Sequence, residues 1–213
     1  MNPEFKSKEE TAFSWWLDEL VNLGYAISWR YEPCQFILSP AVKVWQTEYL
    51  KTKTRQKERS LLKEHAYTPD FLVEWNSRQY GSDMQDKQFW QVLWKETFEL
   101  MPTYFVAHVF RNGLDLPTEK KLVIPGRDRI YSLFEVKGGF DRFNSARMFV
   151  SDQKMLFYTQ GIFVNKVHVA PKKGVFQDTF TPERYLLTDT TKQPRKLGYD
   201  PVMAKDFFKP INN

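Results

Sequence analysis

The sequence predicts an α/β domain with a central mixed sheet flanked by helices. Three observations predict it. Segments 7–24 and 144–161 carry apolar residues at helical spacing and end on glycine. Short β-branched and aromatic runs, bounded by Pro, Gly or Asn, lie around them. Their order is helix, strands, helix, strand, which is the order of a layered α/β domain. With 213 residues, 42% hydrophobic and 27% charged, the chain can bury one full core.

The first helix is SKEETAFSWWLDELVNLG. Ser7 is its N-cap, Glu10 stands at the capping-box position, and Gly24 ends it. Phe13, Trp16, Leu17, Leu20 and Leu23 form its buried stripe. Tyr25 to Tyr31 is a strand, and Phe36-Ile-Leu is a second, closed by Ser39-Pro40. Lys51 to Glu64 is polar all round and is expected to be an exposed helix or a loop. Tyr67-Thr-Pro-Asp-Phe-Leu-Val-Glu-Trp contains a strand starting near Pro69 or Asp70, since a proline at a strand's start loses no needed ladder bond. Residues 76–125 interrupt the pattern and read as an insertion. It holds a helix over FWQVLWKETFELM, a strand over YFVAHVF and a turn at Asn112-Gly113. SLFEVK is a short strand ended by Gly138-Gly139. The second helix, capped by Asn144 or Ser145, leads to a last strand, IFVNKVHV. Beyond residue 170, five prolines mark an extended basic tail.

Composition excludes several classes. No stretch nears the roughly 20 apolar residues of a membrane-spanning helix. The start, MNPEFKSKEE, is too polar for a secretory signal. Cys34 is the single cysteine, so neither an internal disulfide framework nor a multi-cysteine zinc site is available. His65, His108 and His168 are too scattered for a histidine-built metal site. A reducing cytoplasm is the expected setting. Lys and Arg total 31 against 26 acids, a net charge of +5. That balance permits a polyanion partner without demanding one. Basic residues alternate along KTKTRQKER, and a second set begins at Lys172 and Lys173. Each set is either a solvated face or a surface that tracks phosphates, through Lys53, Arg55, Lys57 and Arg59 and through Lys172 and Lys173.

Asp70 opens one expected strand, and Glu135 and Lys137 share one face of another. If the two strands pair, Asp70 sits beside Glu135. Two close carboxylates repel unless a cation lies between them, and their hard oxygens suit Mg2+ or Mn2+. The backbone carbonyl of Val136 offers one more oxygen. Such an ion serves phosphodiester hydrolysis, with the lysine as a point charge near the attacking water.

Here the chain resembles a family. P-D followed by a strand E-V-K is similar to the PD-(D/E)xK nuclease superfamily, over roughly residues 7–170. The resemblance implies a restriction-endonuclease-like core and a metal-dependent DNA endonuclease, like small phage-type and transposon-end or junction-cutting enzymes. It implies Asp70 and Glu135 as metal ligands, Lys137 as the catalytic lysine, and Glu10 as the helix acid, with Glu9 its rival. It implies Lys154, on the helix after E-V-K, as a contact to phosphate or water. The gap from Asp70 to Glu135 is longer than the usual hairpin of that family, and the tail has no counterpart in it. The implied partner is DNA. A homodimer, or a larger recombination or transposition complex, is open. A non-catalytic nucleic-acid-binding or structural protein on the same fold is the alternative, and RNA cleavage is a third reading.

Overall fold

The computed structural model describes residues 4–76, 90–92, 105–110, 129–138 and 145–208. Helix α1, Lys8–Asn22, starts where Ser7 Oγ accepts the Glu10 N–H at 3.0 Å. It stops at a Schellman motif. The Gly24 N–H donates to Val21 O, the Tyr25 N–H donates to Leu20 O, and Gly24 takes a φ of 79°.

Ten strands among the described residues follow the expected order, with four additions. They are β1 Ala26–Tyr31, β2 Phe36–Ser39, β3 Val42–Tyr49, β4 Thr54–Leu62, β5 His65–Tyr67, β6 Phe71–Trp75, β7 Trp90–Val92, β8 Phe105–Phe110, β9 Arg129–Lys137 and β10 Val164–His168. Helix α2, Ser145–Gln160, lies between β9 and β10. The main sheet runs β1-β6-β9-β8-β7, and β10 also pairs β9. It is a mixed sheet: β6 and β8 run antiparallel to β9, while β10 runs parallel to it.

Alternation along β6 and β9 divides the core between two faces. Phe71, Val73, Trp75, Phe134 and Val136 pack under the α1 stripe of Phe13, Trp16, Leu17 and Leu20. Leu72, Tyr131 and Leu133 face the other way, toward Phe149 and Leu156 of α2 and Phe36, Leu38 and Tyr67. The sheet therefore lies between the two helices.

Strands β8 and β10 share one edge of β9, at different ends. β8 pairs residues 129–131 and β10 pairs 133–137. The junction between them leaves backbone groups that no ladder satisfies. Buried Asn165 closes it: Oδ1 accepts the Val106 N–H, and Nδ2 donates to Val106 O and Leu133 O. Ser132 Oγ donates to Val106 O and accepts the Trp75 indole N–H. On the same side the Phe163 N–H donates to His108 Nε2, an apolar-run histidine whose burial lowers its pKa.

Three expectations change. The stretch Lys51 to Glu64 is neither helix nor loop. Its residues 54–62 form β4, paired antiparallel with β3 from Tyr49↔Thr54 to Val42↔Leu62. The alternation of its basic residues is a strand period written in charge, without an apolar face to reveal it. Residues 90–92, expected in a helix, form β7 and pair parallel with β8, so a sheet partner overrides the local helical spacing. The rest of that expected helix and the Asn112-Gly113 turn lie outside the described residues, as do Gly139 and Asn144.

The third change concerns the tail. It has few regular elements: helix α3, Val175–Asp178, a 3-10 turn, Glu183–Leu186, and helix α4, Ala204–Phe207. Yet Val175, Phe176, Phe180, Tyr185 and Ala204 are buried in the α1-side core. Trp16 Nε1 donates to Thr179 Oγ1 at 3.1 Å. Single apolar residues between prolines show no period, but each fills a gap beside α1.

Replacing Asn165 with Leu removes the acceptor of the Val106 N–H and one donor each from the Val106 and Leu133 carbonyls, while Ser132 still donates to Val106 O. Urea unfolding of Asn165→Leu is expected to show a loss of about 3 kcal/mol. A loss near zero means that the junction is solvated.

Candidate active site

The β6–β9 register matches Phe71 with Phe134 and Leu72 with Leu133. One further pair sets Asp70 opposite Glu135. Asp70 Oδ2 accepts the Val136 N–H at 2.7 Å, which fixes the carboxylate across the two strand ends. The Asp70 carbonyl accepts the Glu32 N–H at 2.8 Å, tying in the end of β1.

Glu135 and Lys137 project to the α2 side, opposite the core residues Phe134 and Val136. Lys137 Nζ donates to Glu135 Oε1 at 2.6 Å, and Tyr67 donates its hydroxyl to Oε2 at 2.7 Å. The pair is well shielded, with Glu135 at 7% exposure. Lys137 Nζ also lies 6.0 Å from the ring centre of Phe149.

Glu10 faces inward from α1 and is likewise 7% exposed. Its Oε2 accepts the Tyr31 hydroxyl at 2.5 Å and the Lys6 N–H at 3.0 Å. Glu9 is half-buried and sits elsewhere, over the backbone of Gly138. A Cβ added at Gly138 would meet Glu9 Oε1 at 3.0 Å. Both acids therefore border the end of β9, but Glu10 is the one whose charge acts on Asp70.

The electrostatics are strained. Burial, then the charge of Glu135, then that of Glu10 push the Asp70 carboxyl up to about 7, against the Val136 N–H and Lys137. Burial and the neighbouring carboxylates also raise the Tyr67 and Tyr31 phenols, which stay protonated as donors.

Sequence reasoning did not find Tyr31, Tyr67, His65 or Asp152. The strand period carries a signal for one of them: His65 and Tyr67 lie two apart in β5. On α2 the residue that turns toward the site is Asp152, whose Oδ1 lies 3.0 Å from His65 Nε2. Lys154 is exposed, and Gln153 Nε2 donates to Val164 O in support of β10. Lys53, Arg55, Lys57 and Arg59 are exposed on the β3–β4 arm, and Lys172 and Lys173 are exposed in the loop after β10. Buried Cys34, its thiol pushed up to about 12 by burial, takes no part.

Among the described residues, no three His, Cys, Asp or Glu side chains converge into a metal-holding group. Each acid is drawn to a protein donor instead. The bonds to Asp70 and Glu10 fall on Oδ2 and Oε2, which leaves Oδ1 and Oε1 for a cation. Hard oxygens around a like-charge conflict suit a small divalent ion. No helix among the described residues is long and apolar enough to cross a membrane. Comparison with family models, curated proteins and solved structures found no match.

The raised Asp70 value gives a stability test. Folding takes up a proton there, so its stabilising contribution is complete below the ordinary value of 3.8 and is lost as pH climbs to about 7. In chelator, Asp70→Asn is expected to melt several degrees above wild type at pH 8, with the gap closing toward pH 4. Mg2+ should raise the wild-type midpoint at pH 8 and leave that of Asp70→Asn where it was. A lower midpoint for Asp70→Asn at pH 8 overturns the strain.

Proposed function

We propose that the chain is a metal-dependent DNA endonuclease on a restriction-endonuclease-like core. The observation that carries this reading is the β6–β9 register, which joins the P-D and E-V-K segments across more than sixty residues. The sheet between two helices and the acid on α1 agree with the resemblance. Asp70 Oδ1, Glu135, Glu10 Oε1 and the Val136 carbonyl would hold Mg2+ or Mn2+. When bound, such an ion polarises the phosphodiester and lowers the pKa of a bound water.

The chain's own groups do the rest. Lys137 Nζ, held at Glu135 Oε1, turns to the attacking water or to a non-bridging phosphate oxygen and offsets the growing negative charge. Tyr67 holds the other Glu135 oxygen, and Tyr31 holds Glu10, so neither acid swings away. Asp152 and His65 line the same side. The basic residues of the arm and Lys172 and Lys173 contribute sequence-independent phosphate contacts. Structure-selective or partner-directed cutting suits such contacts better than stringent sequence reading.

One observation favours a second reading, a nucleic-acid-binding protein that does not cut. Both oxygens of Glu135 are already engaged, by Lys137 and by Tyr67. The deciding assay is cleavage of plasmid and branched DNA with Mg2+, Mn2+ or chelator. Wild type is expected to cut only with metal. Glu135→Ala, Asp70→Ala and Lys137→Ala are expected to lose about 10²–10⁴-fold in rate while still binding DNA. Undiminished cutting by Glu135→Ala excludes this site, and salt-sensitive binding without cutting favours the second reading.

A further inference from the structure

Strands β2 to β5 form one long hairpin with two unlike parts. Its root is β2–β5, with Phe36 and Leu38 buried and the Gln160 side chain donating to Ile37 O. Beyond Pro40 it continues as the β3–β4 arm, a two-stranded ribbon that pairs with no other strand among the described residues. Only Thr47 and Glu48 of the arm are half-buried, and every other residue is exposed. A two-stranded ribbon with no covered face is marginal in water, so something else must reward its order.

Charge narrows the partner to a polyanion. From Val42 to Leu62 the arm carries six basic residues and two acidic ones, a net of +4 against +5 for the whole chain. The register separates the arm's faces. Arg55, Lys57 and Arg59 stand on one face with Gln46 and Glu48, while Lys43, Trp45, Tyr49 and Glu58 stand on the other. Glu48 bonds Arg55 at 2.8 Å and Arg59 at 3.1 Å, which spreads the two guanidiniums along the first face. Each guanidinium keeps further N–H donors for a second acceptor. Lys51 and Lys53 sit at the tip, and neither they nor Lys57 makes a salt bridge among the described residues, although the charge of Lys57 acts on Glu48.

We propose that the β3–β4 arm enters the major groove of duplex DNA, with the Arg55–Lys57–Arg59 face toward the duplex and Lys51 and Lys53 on its phosphates. At about 3.4 Å per residue, the nine-residue β4 is about 30 Å long, close to one turn of duplex. The major groove of B-form DNA, about 12 Å wide, admits a two-stranded ribbon. The major groove of A-form RNA is too narrow and deep for side chains to read. A second copy of the chain would bring another +4 against the first and is repelled. The arm is rooted at the candidate site: Lys63 and Glu64 alone separate β4 from β5, and Tyr67 of β5 reaches Glu135. DNA gripped by the arm is thereby held beside Asp70 and Glu135. The proposal takes from the preceding reading only that the partner is DNA, and it is tested without cleavage.

The test is fluorescence anisotropy of full-length Glu135→Gln protein in chelator, on a duplex DNA and on the matched RNA duplex, across a salt series. DNA is expected to bind tightly and with steep salt dependence. The triple variant Lys51→Gln, Lys53→Gln, Lys57→Gln is expected to reduce the log–log salt slope by about 2 to 3, at about 0.9 per lost phosphate contact. Its circular dichroism and melting midpoint should match the parent, because none of the three lysines bridges the two strands. Lys43→Gln, on the other face, should change the slope by less than one. A major-groove ligand such as methyl green should compete. An unchanged slope in the triple variant, RNA bound as tightly as DNA, or a dimer that the triple variant dissolves would each overturn the arm's role. A separate cleavage assay keeps the two readings apart. Arm-dependent binding without cutting removes the nuclease and keeps the arm, and cutting with an unchanged slope does the reverse.

Discussion

The antiparallel register of β6 on β9 governs the rest of the molecule. Both strands are almost wholly buried, with apolar side chains on both faces, so neither has a solvent side to slip toward. A slip of one residue would carry Glu135 into the Phe13 and Phe71 side of the core and bring Phe134 out to Lys137's face. Burying an unpaired carboxylate among those rings costs far more than the register's own hydrogen bonds return. The packing that makes the core also sets Asp70 against Glu135. The two helices then follow, α1 on the Phe134 face and α2 on the Leu133 face.

That same pairing concentrates negative charge in a place with little water. The protein offsets it with neutral or cationic donors: Tyr31 for Glu10, the Val136 N–H for Asp70, and Tyr67 with Lys137 for Glu135. The offset is incomplete at Asp70, where burial and two acids outweigh one N–H and one lysine. A cluster kept under such tension is a stronger pointer to function than any one of its residues, because structural ion pairs are arranged to relieve charge. The Arg129–Glu74 pair, 3.0 Å apart on the same face with Arg129 half-buried and Glu74 buried, is such a relieved pair.

Around the core the chain uses two opposite solutions. The tail beyond residue 170 is irregular but packed, and its rings at Phe176, Phe180 and Tyr185 complete the α1 layer. The β3–β4 arm is regular but unpacked, held by its ladder and by exposed ion pairs such as Lys43–Glu58 and Arg55–Glu48. Exposed pairs contribute little stability, and cross-strand hydrogen bonds on a buried root leave such a ribbon marginal by itself.

The two long helices and most sheet strands were legible from spacing and caps, because 3.6- and 2-residue periods follow from which face must be dry. The alternation in Phe134-Glu135-Val136-Lys137 was legible for the same reason, and with it the side on which the acid and lysine stand. The arm was not, since its strand period is written in charge and no apolar face marks it. Nor was the packing of the tail, where single rings fill gaps defined by α1. Tyr31, Tyr67, His65 and Asp152 came to the site from three elements, β1, β5 and α2, and only the two-residue spacing of His65 and Tyr67 within β5 links any of them. By itself the sequence determined the elements and which face of each is apolar, because those depend on neighbours a few residues away. Only the tertiary structure decided that Asp70 meets Glu135, that Asp152 and not Lys154 turns inward, and that β8 and β10 share one edge of β9. Those contacts span tens of residues, and their free energy exists only once the sheet has closed.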